Sequence, residues 1–214
     1  NGYHGVAFGG ISTNSSDSSR QTAFSVYVAD ADNVDLSVDE RLRIHPNGVA
    51  SFNNGIALGV GTANTASNVI SDYEEGSFTP NYATLGTQFS SVTHDIQEGR
   101  YTKIGNFVYA NFRLRTSAVT IGSASDQIII QGLPFTPAST MGIQVFPVGF
   151  NANWGSNSPT ALRITDSVTN ILLYKLVGQG SDSQYNLNYP INKENIATGS
   201  NSNYLYGYVL YRTS

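Results

Sequence analysis

Asn106-Phe107-Val108-Tyr109-Ala110-Asn111-Phe112-Arg113-Leu114-Arg115 is the stretch that decides the fold class. Val108, Ala110, Phe112 and Leu114 fall on one side of an extended chain, and Asn111, Arg113 and Arg115 on the other. That two-residue period belongs to a strand with one face in a core and the other toward solvent or a partner chain. Downstream, Gln127-Ile128-Ile129-Ile130-Gln131 is a short continuous apolar run, as in a strand buried on both faces, and Gly132-Leu133-Pro134 ends it. Further strands are expected at about 142–150, 161–165, 171–177 and 204–212, separated by Gly, Asn, Ser and Pro clusters. This spacing predicts an all-β domain of β-sandwich or jelly-roll type. Pro147 assigns its segment to a sheet edge or a bulge, because proline cannot donate to a ladder. The last strand alternates Tyr204, Tyr206 and Tyr208 with Leu205, Gly207 and Val209, a tyrosine row better suited to sheet or subunit packing than to a ligand platform.

The composition agrees with strands. Of 214 residues 40% are apolar and only 12% charged, and the missing charge is replaced by Ser, Thr, Asn and Gly, which disfavour helix interiors. A net charge of −4 leaves no basic field to gather phosphates, so nucleic acid is not an expected partner. No apolar run approaches the ~20 residues that span a bilayer, so membrane insertion is not expected. With no Cys, disulfides and thiolate metal sites are excluded. The only Met is Met141, and a chain without an initiating Met is expected to be a fragment or a processed product.

Residues 1–71 differ from residues 72–214. In the first region short strand-like pieces stand between turn clusters. Phe24, Val26 and Val28 alternate with Ser25 and Tyr27, and Arg41-Leu42-Arg43-Ile44 runs into His45-Pro46-Asn47-Gly48, a tight-turn signal, with Val49-Ala50-Ser51-Phe52 as the return strand. Asn53-Asn54-Gly55 then turns the chain again. Ordering a residue costs about 1–2 kcal/mol, and burying one aliphatic side chain returns about 1.5–3 kcal/mol. Such thin ribbons leave apolar surface exposed in a single chain, so burial between identical chains is the natural remedy and an oligomeric stem is expected. Ten of the thirteen Tyr and the only Trp lie beyond Phe78, which marks residues 72–214 as a globular head.

Candidate chemistry is sparse. Asp30-Ala31-Asp32-Asn33-Val34-Asp35 with Asp39-Glu40 fails the EF-hand pattern, since Val34, Asp35 and Arg41 stand where a ligand, the glycine and the bidentate glutamate belong. His4, His45 and His94 are far apart, and no metal or other cofactor is expected. Gly59-Val60-Gly61 and Gly178-Gln179-Gly180 lack the remaining glycines or the Gly-Lys-Ser/Thr of a nucleotide loop and are read as turns, and there is no Gly-x-Ser-x-Gly elbow. Glycosidic cleavage needs two carboxylates held about 5–9 Å apart, which sequence spacing does not reveal. No catalytic residue is assigned. Sugar binding draws on an aromatic face surrounded by amides and carboxylates. Asn151-Ala152-Asn153-Trp154-Gly155-Ser156-Asn157 has that mixture, which makes Asn151, Asn153, Trp154 and Asn157 candidates. A second loop over residues 178–188 adds Asp182, Gln184 and Tyr185 and also contains Asn186.

Three blocks carry a family likeness. Asp72-Tyr73-Glu74-Glu75-Gly76-Ser77-Phe78-Thr79-Pro80, then Gly99-Arg100-Tyr101-Thr102-Lys103-Ile104-Gly105-Asn106-Phe107-Val108-Tyr109, then Gly132-Leu133-Pro134-Phe135-Thr136-Pro137, in this order, resemble the C-terminal region of tailed-bacteriophage tail fibre proteins. Upstream, Glu40-Arg41-Leu42-Arg43-Ile44-His45-Pro46-Asn47-Gly48-Val49 looks like the strand–turn–strand unit that precedes such heads in fibre shafts. The resemblance implies a homotrimer at the far end of a virion appendage, joined to the rest of the fibre and acting outside the cell on a bacterial surface glycan or outer-membrane receptor. It implies no catalytic site. A polysaccharide-degrading tailspike with a carboxylate pair, and a capsid decoration or baseplate protein, are the alternatives. The blocks themselves look like scaffolding, with Phe-Thr-Pro twice anchoring an aromatic ring where a strand ends.

Overall fold

The structure is a computed structural model that describes residues 6–12, 22–28, 39–57, 69–70, 72–140, 142–179 and 184–213. Of residues 6–12, 22, 177–179 and 184–188 it describes the backbone alone. The described residues form antiparallel sheets, with a single 3-10 turn at Lys193–Asn195 and no α-helix. The chain divides into two compact units, Asn1–Ser71 and Asp72–Ser214.

In the first unit β1 (Val6–Ser12), β2 (Thr22–Val28), β3 (Glu40–Ile44) and β4 (Ala50–Phe52) follow one another in a four-stranded sheet. A two-residue strand β5 (Ile56–Ala57) pairs with β6 (Val69–Ile70). The turn from β3 to β4 is the one its residues specify. Gly48 takes φ +85°, its amide donates to the His45 carbonyl at 2.9 Å, and the Asn47 side chain accepts from the Val49 amide at 3.1 Å. On β2 the alternation has an outcome the pattern did not disclose. Ala23, Ser25 and Tyr27 are buried, whereas Phe24 and Val28 are more than two-fifths exposed. The buried face is held by polar chemistry: the Ser25 hydroxyl donates to Glu40 at 2.8 Å, and Arg43 grips both Glu40 oxygens at 2.5 and 2.6 Å.

The second unit is built on two sheets. One has the order β13 (Phe150–Ala152), β17 (Ser202–Arg212), β10 (Phe107–Thr120), β9 (Ser91–Ile104), β7 (Tyr73–Phe78). The other runs β12 (Gln144–Pro147), β14 (Ala161–Ile164), β15 (Ile171–Gln179), β11 (Ile128–Gln131), β8 (Asn81–Thr84), with β16 (Gln184–Pro190) also paired to β15. Their facing side chains share one hydrophobic core, to which β10 gives Val108, Ala110, Phe112 and Leu114, β17 gives Leu205, Val209 and Tyr211, and the second sheet gives Ile128, Ile130, Leu162, Ile164, Ile171 and Leu173. Each such side chain contributes about 1.5–3 kcal/mol by leaving water. Ile128, Ile129 and Ile130 are all buried, as an unbroken apolar run on an interior strand requires.

Two expectations need correction. Residues 142–150 are not one strand. Pro147 ends β12 at the edge of the second sheet, the Val148 amide still bonds to the Thr160 carbonyl there, and the Gly149 amide bonds to Tyr206 of the first sheet. The chain therefore changes sheet at a proline and a glycine, where pairing is weakest. Residues 178–188 are not one long loop either. Gly178 pairs with Tyr185 and Gln179 with Gln184, so a hairpin occupies most of the segment, and Gly178-Gln179 is strand rather than turn.

The three quoted sequence blocks meet in space. β7 pairs with β9, and wherever a glycine stands in one strand an aromatic ring from the other fills its place. A Cβ on Gly76 would lie 2.7 Å from the Tyr101 ring, and one on Gly99 2.7 Å from the Phe78 ring. Tyr101 also meets Phe135 edge-on at 5.2 Å, while Lys103 lies 5.5 Å over Phe135 and pairs with Asp72. Gly132, at φ +97°, approaches the Thr79 carbonyl so closely that a Cβ would stand 2.5 Å from it. Blocks spread over more than sixty residues of sequence thus close into one cluster packed against the core.

Candidate functional site

Asn151 lies in the edge strand β13, opposite Leu205 of β17. Asn153 follows with φ +55°, a left-handed conformation that asparagine tolerates. Its side-chain amide donates to the Asn201 carbonyl at 3.0 Å, and its own carbonyl accepts from the Asn203 amide at 3.0 Å. Trp154 turns inward: its indole N–H donates to the Tyr204 carbonyl at 2.9 Å and its ring meets Tyr82 edge-on at 5.7 Å against the core. With that donor used and one edge covered, the indole works here as packing. Asn157 turns the other way. Its amide donates to the Tyr189 hydroxyl at 3.1 Å and its carbonyl oxygen accepts from Lys175 Nζ at 2.9 Å.

Asn157 therefore leads to a surface cluster on the other side of the loop. Tyr189, Pro190, Asn192, Glu194 and Asn195 line an open depression of about 380 Å³. The 3-10 turn that carries Glu194 is fastened to the loop, since the Gly155 amide donates to the Asn195 carbonyl at 2.9 Å and Asn195 Nδ2 donates to Ser156 at 2.8 Å. Tyr189 is 43% exposed, which leaves ring surface available beside two amides, an ammonium and a carboxylate. That set can stack against the C–H face of a sugar ring and bond its hydroxyls. Glu194 is the one carboxylate among the described residues that line it, where a glycosidase uses a facing pair.

Of the residues singled out from sequence, Asn157 reaches this cluster, whereas Asn151 stands in the edge strand and Asn153 and Trp154 bond to the Asn201 and Tyr204 carbonyls. Gln184 and Tyr185 lie in β16, the strand that carries Tyr189, and Asp182 lies outside the described residues. Sequence reading missed Tyr189, Lys175 and Asn192. Treating 178–188 as a loop concealed the strand that delivers Tyr189 opposite Lys175, and a long alternating segment ending in proline was the available signal.

Several other ionisable groups are engaged. Hydrogen bonding from Arg115 holds the Asp95 carboxyl below its ordinary range, and Arg43 does the same to Glu40. A general acid requires the opposite displacement. Glu74 and Glu75 accept from Tyr101 and Tyr73. His94 stacks on Tyr82 at 5.8 Å, and burial lowers its pKa. His45 bonds through Nε2 to Ser51 at 2.9 Å, while His4 and residues 30–35 lie outside the described residues. Among the described residues no group of three His, Cys, Asp or Glu is placed to hold a metal ion, and no helix is long and apolar enough to cross a membrane. Compared with models of known protein families and with curated proteins, the chain matches none.

Proposed function

We propose that this chain is the distal part of a bacteriophage tail fibre, a homotrimer that attaches the virion to a bacterial surface glycan, such as lipopolysaccharide or capsule, or to an outer-membrane receptor. In this reading residues 1–71 form a β-rich stem joined to the rest of the fibre, and residues 72–214 form a sandwich-like head that binds without cutting. The observation that carries it is the convergence of the three tail-fibre-like blocks on one cluster, with Tyr101 over Gly76, Phe78 over Gly99 and Phe135 against both Tyr101 and Lys103. Residues that carry the resemblance and also lock to one another in the fold support this reading. The Tyr189–Asn157–Lys175 cluster supplies the sugar-facing chemistry, and three weak copies on one assembly raise avidity without new contacts.

The test is adsorption of the purified full chain to a panel of encapsulated and smooth bacterial strains, with free polysaccharide as competitor and reducing ends assayed in parallel. Adsorption to some strains, blocked by their glycan and without new reducing ends, is expected. Tyr189→Ala should weaken it by roughly tenfold or more, since the lost contact recurs in every copy. Release of reducing ends would replace adhesion by degradation, and absence of adsorption across the panel would end the proposal.

A further inference from the structure

The outer face of the five-stranded sheet is unusually apolar for a surface. Register sets Phe107 between Ile104 and Arg212, Tyr109 beside Leu210, Asn111 beside Tyr208, and Arg113 beside Tyr206, which in turn neighbours Phe150. Ile104, Phe107, Tyr109, Phe150, Tyr208 and Leu210 are each between 36% and 47% exposed, and Tyr73 at the β7 edge is 61% exposed. Taking about 200 Å² for a whole aromatic side chain, these residues present roughly 600 Å² of apolar surface. That is the upper end of what a solitary soluble protein displays as its largest patch, about 300–600 Å².

We propose that a second copy of this chain covers this face. The inference rests on the reading of the chain as an assembly of like subunits and assigns the surface through which the second units associate. Area is the first argument: a stable interface buries about 800 Å² per partner, a little over half of it apolar, and the face supplies that amount. Charge is the second. Two cations on the face are matched within the chain, Arg115 to Asp95 at 2.8 Å and Arg113 to Glu98 at 3.4 Å, while Arg100 and Arg212 stand exposed on it. The guanidinium groups of Arg115 and Arg113 lie 5.3 Å over Tyr204 and 5.5 Å over Tyr206. Around Arg113 and Arg115, where the charges are paired, the face can meet its own copy without stranding like charges against each other. Shape is the third: the tyrosine row lies on a pleated sheet, and the face borders a depression of about 560 Å³ only at its Phe107–Leu210–Arg212 end.

The experiment is light scattering after gel filtration of the full chain at micromolar concentration, comparing the native protein with Tyr109→Glu/Leu210→Glu and, separately, Phe150→Glu. All three side chains point away from the core, and circular dichroism reports whether each variant is folded. The native chain is expected at a multiple of 23.0 kDa. The double variant is expected to associate roughly a hundredfold more weakly, because like charges then face each other in the interface, and to elute at 23.0 kDa with an unchanged spectrum. A native chain that elutes at 23.0 kDa overturns the proposal, as do two folded variants that keep the native mass. Loss of adsorption to bacteria with the mass unchanged also overturns it and makes the face a receptor surface. Adsorption by the native chain, measured alongside, separates this outcome from failure of the attachment function, since a mass that falls in the variants supports the interface whether or not bacteria are bound.

Discussion

In the second unit β10 sends Val108, Ala110, Phe112 and Leu114 into a core closed by a facing sheet, so the apolar half of its alternation is the buried half. In the first unit β2 divides differently: Ala23, Ser25 and Tyr27 are buried while Val28 stands open, as do Ile44 on β3 and Phe52 on β4. Period-two alternation therefore identifies two faces but not which one the chain covers. What decides is whether a second apolar layer is available. The covered β2 face depends also on Glu40, bonded by Ser25 and Arg43, while Val28, Ile44 and Phe52 are two-fifths exposed or more. An assembling stem joined to a head that closes a core of its own would divide its burial in this way.

The contrast can be broken most forcefully in the core. Phe112→Ala should cost about 3–5 kcal/mol, lowering the melting temperature of the second unit by about 10 °C in thermal denaturation followed by near-UV dichroism. An equal loss from Phe52→Ala in dilute protein would erase the distinction between the units. Next in size is Asn203→Ala. This buried asparagine, at φ +53°, bonds the Thr116 hydroxyl at 2.8 Å and both the carbonyl and the amide of Ala197 at 2.7 and 2.8 Å. Removing it leaves buried groups unpaired, at about 2–3 kcal/mol by urea titration. A loss under half a kilocalorie would mean that water replaces the side chain freely.

His94 sharpens the comparison through pH. Burial lowers its pKa in the fold, an effect partly offset by Asp95, so the unfolded chain binds the proton more readily. The stability it contributes is complete above the ordinary histidine value of about 6.5 and is lost as pH falls below it. His94→Phe, which keeps a ring on Tyr82, should flatten the dependence of second-unit stability between about pH 6.5 and 5, and an identical slope in both proteins would remove His94 from the account. The smallest effect belongs to Ile44→Thr. It is expected to shift the stability of the dilute chain by about 0.5 kcal/mol or less and to weaken assembly far more, read by sedimentation at increasing concentration. Equal small changes in both would show that the first-unit face stays in water.

Much of the strand content was legible because it is written locally. The alternation through Asn106–Arg115, the Ile128–Ile130 run, the turn at Pro46-Asn47-Gly48 and the edge position of Pro147 each follow from neighbouring residues alone. What was hidden depends on partners distant in sequence. Trp154 has amide neighbours, yet Tyr82 and the Tyr204 carbonyl set its orientation. The change of sheet within 142–150 is dictated by Thr160 and Tyr206, and β16 by its pairing with β15. Tyr189, Lys175 and Glu194 come from three segments, and no spacing rule joins them.

Hydrogen exchange of the full chain at two concentrations, one well below and one well above assembly, addresses the division of burial directly. Amides of β10 and β17 should exchange slowly at both, because their sheet closes on a core within the chain, whereas those of β3 and β4 should become slow only in the assembled sample. Slow exchange of β3 and β4 at the lower concentration, equal to that at the higher, would contradict the account.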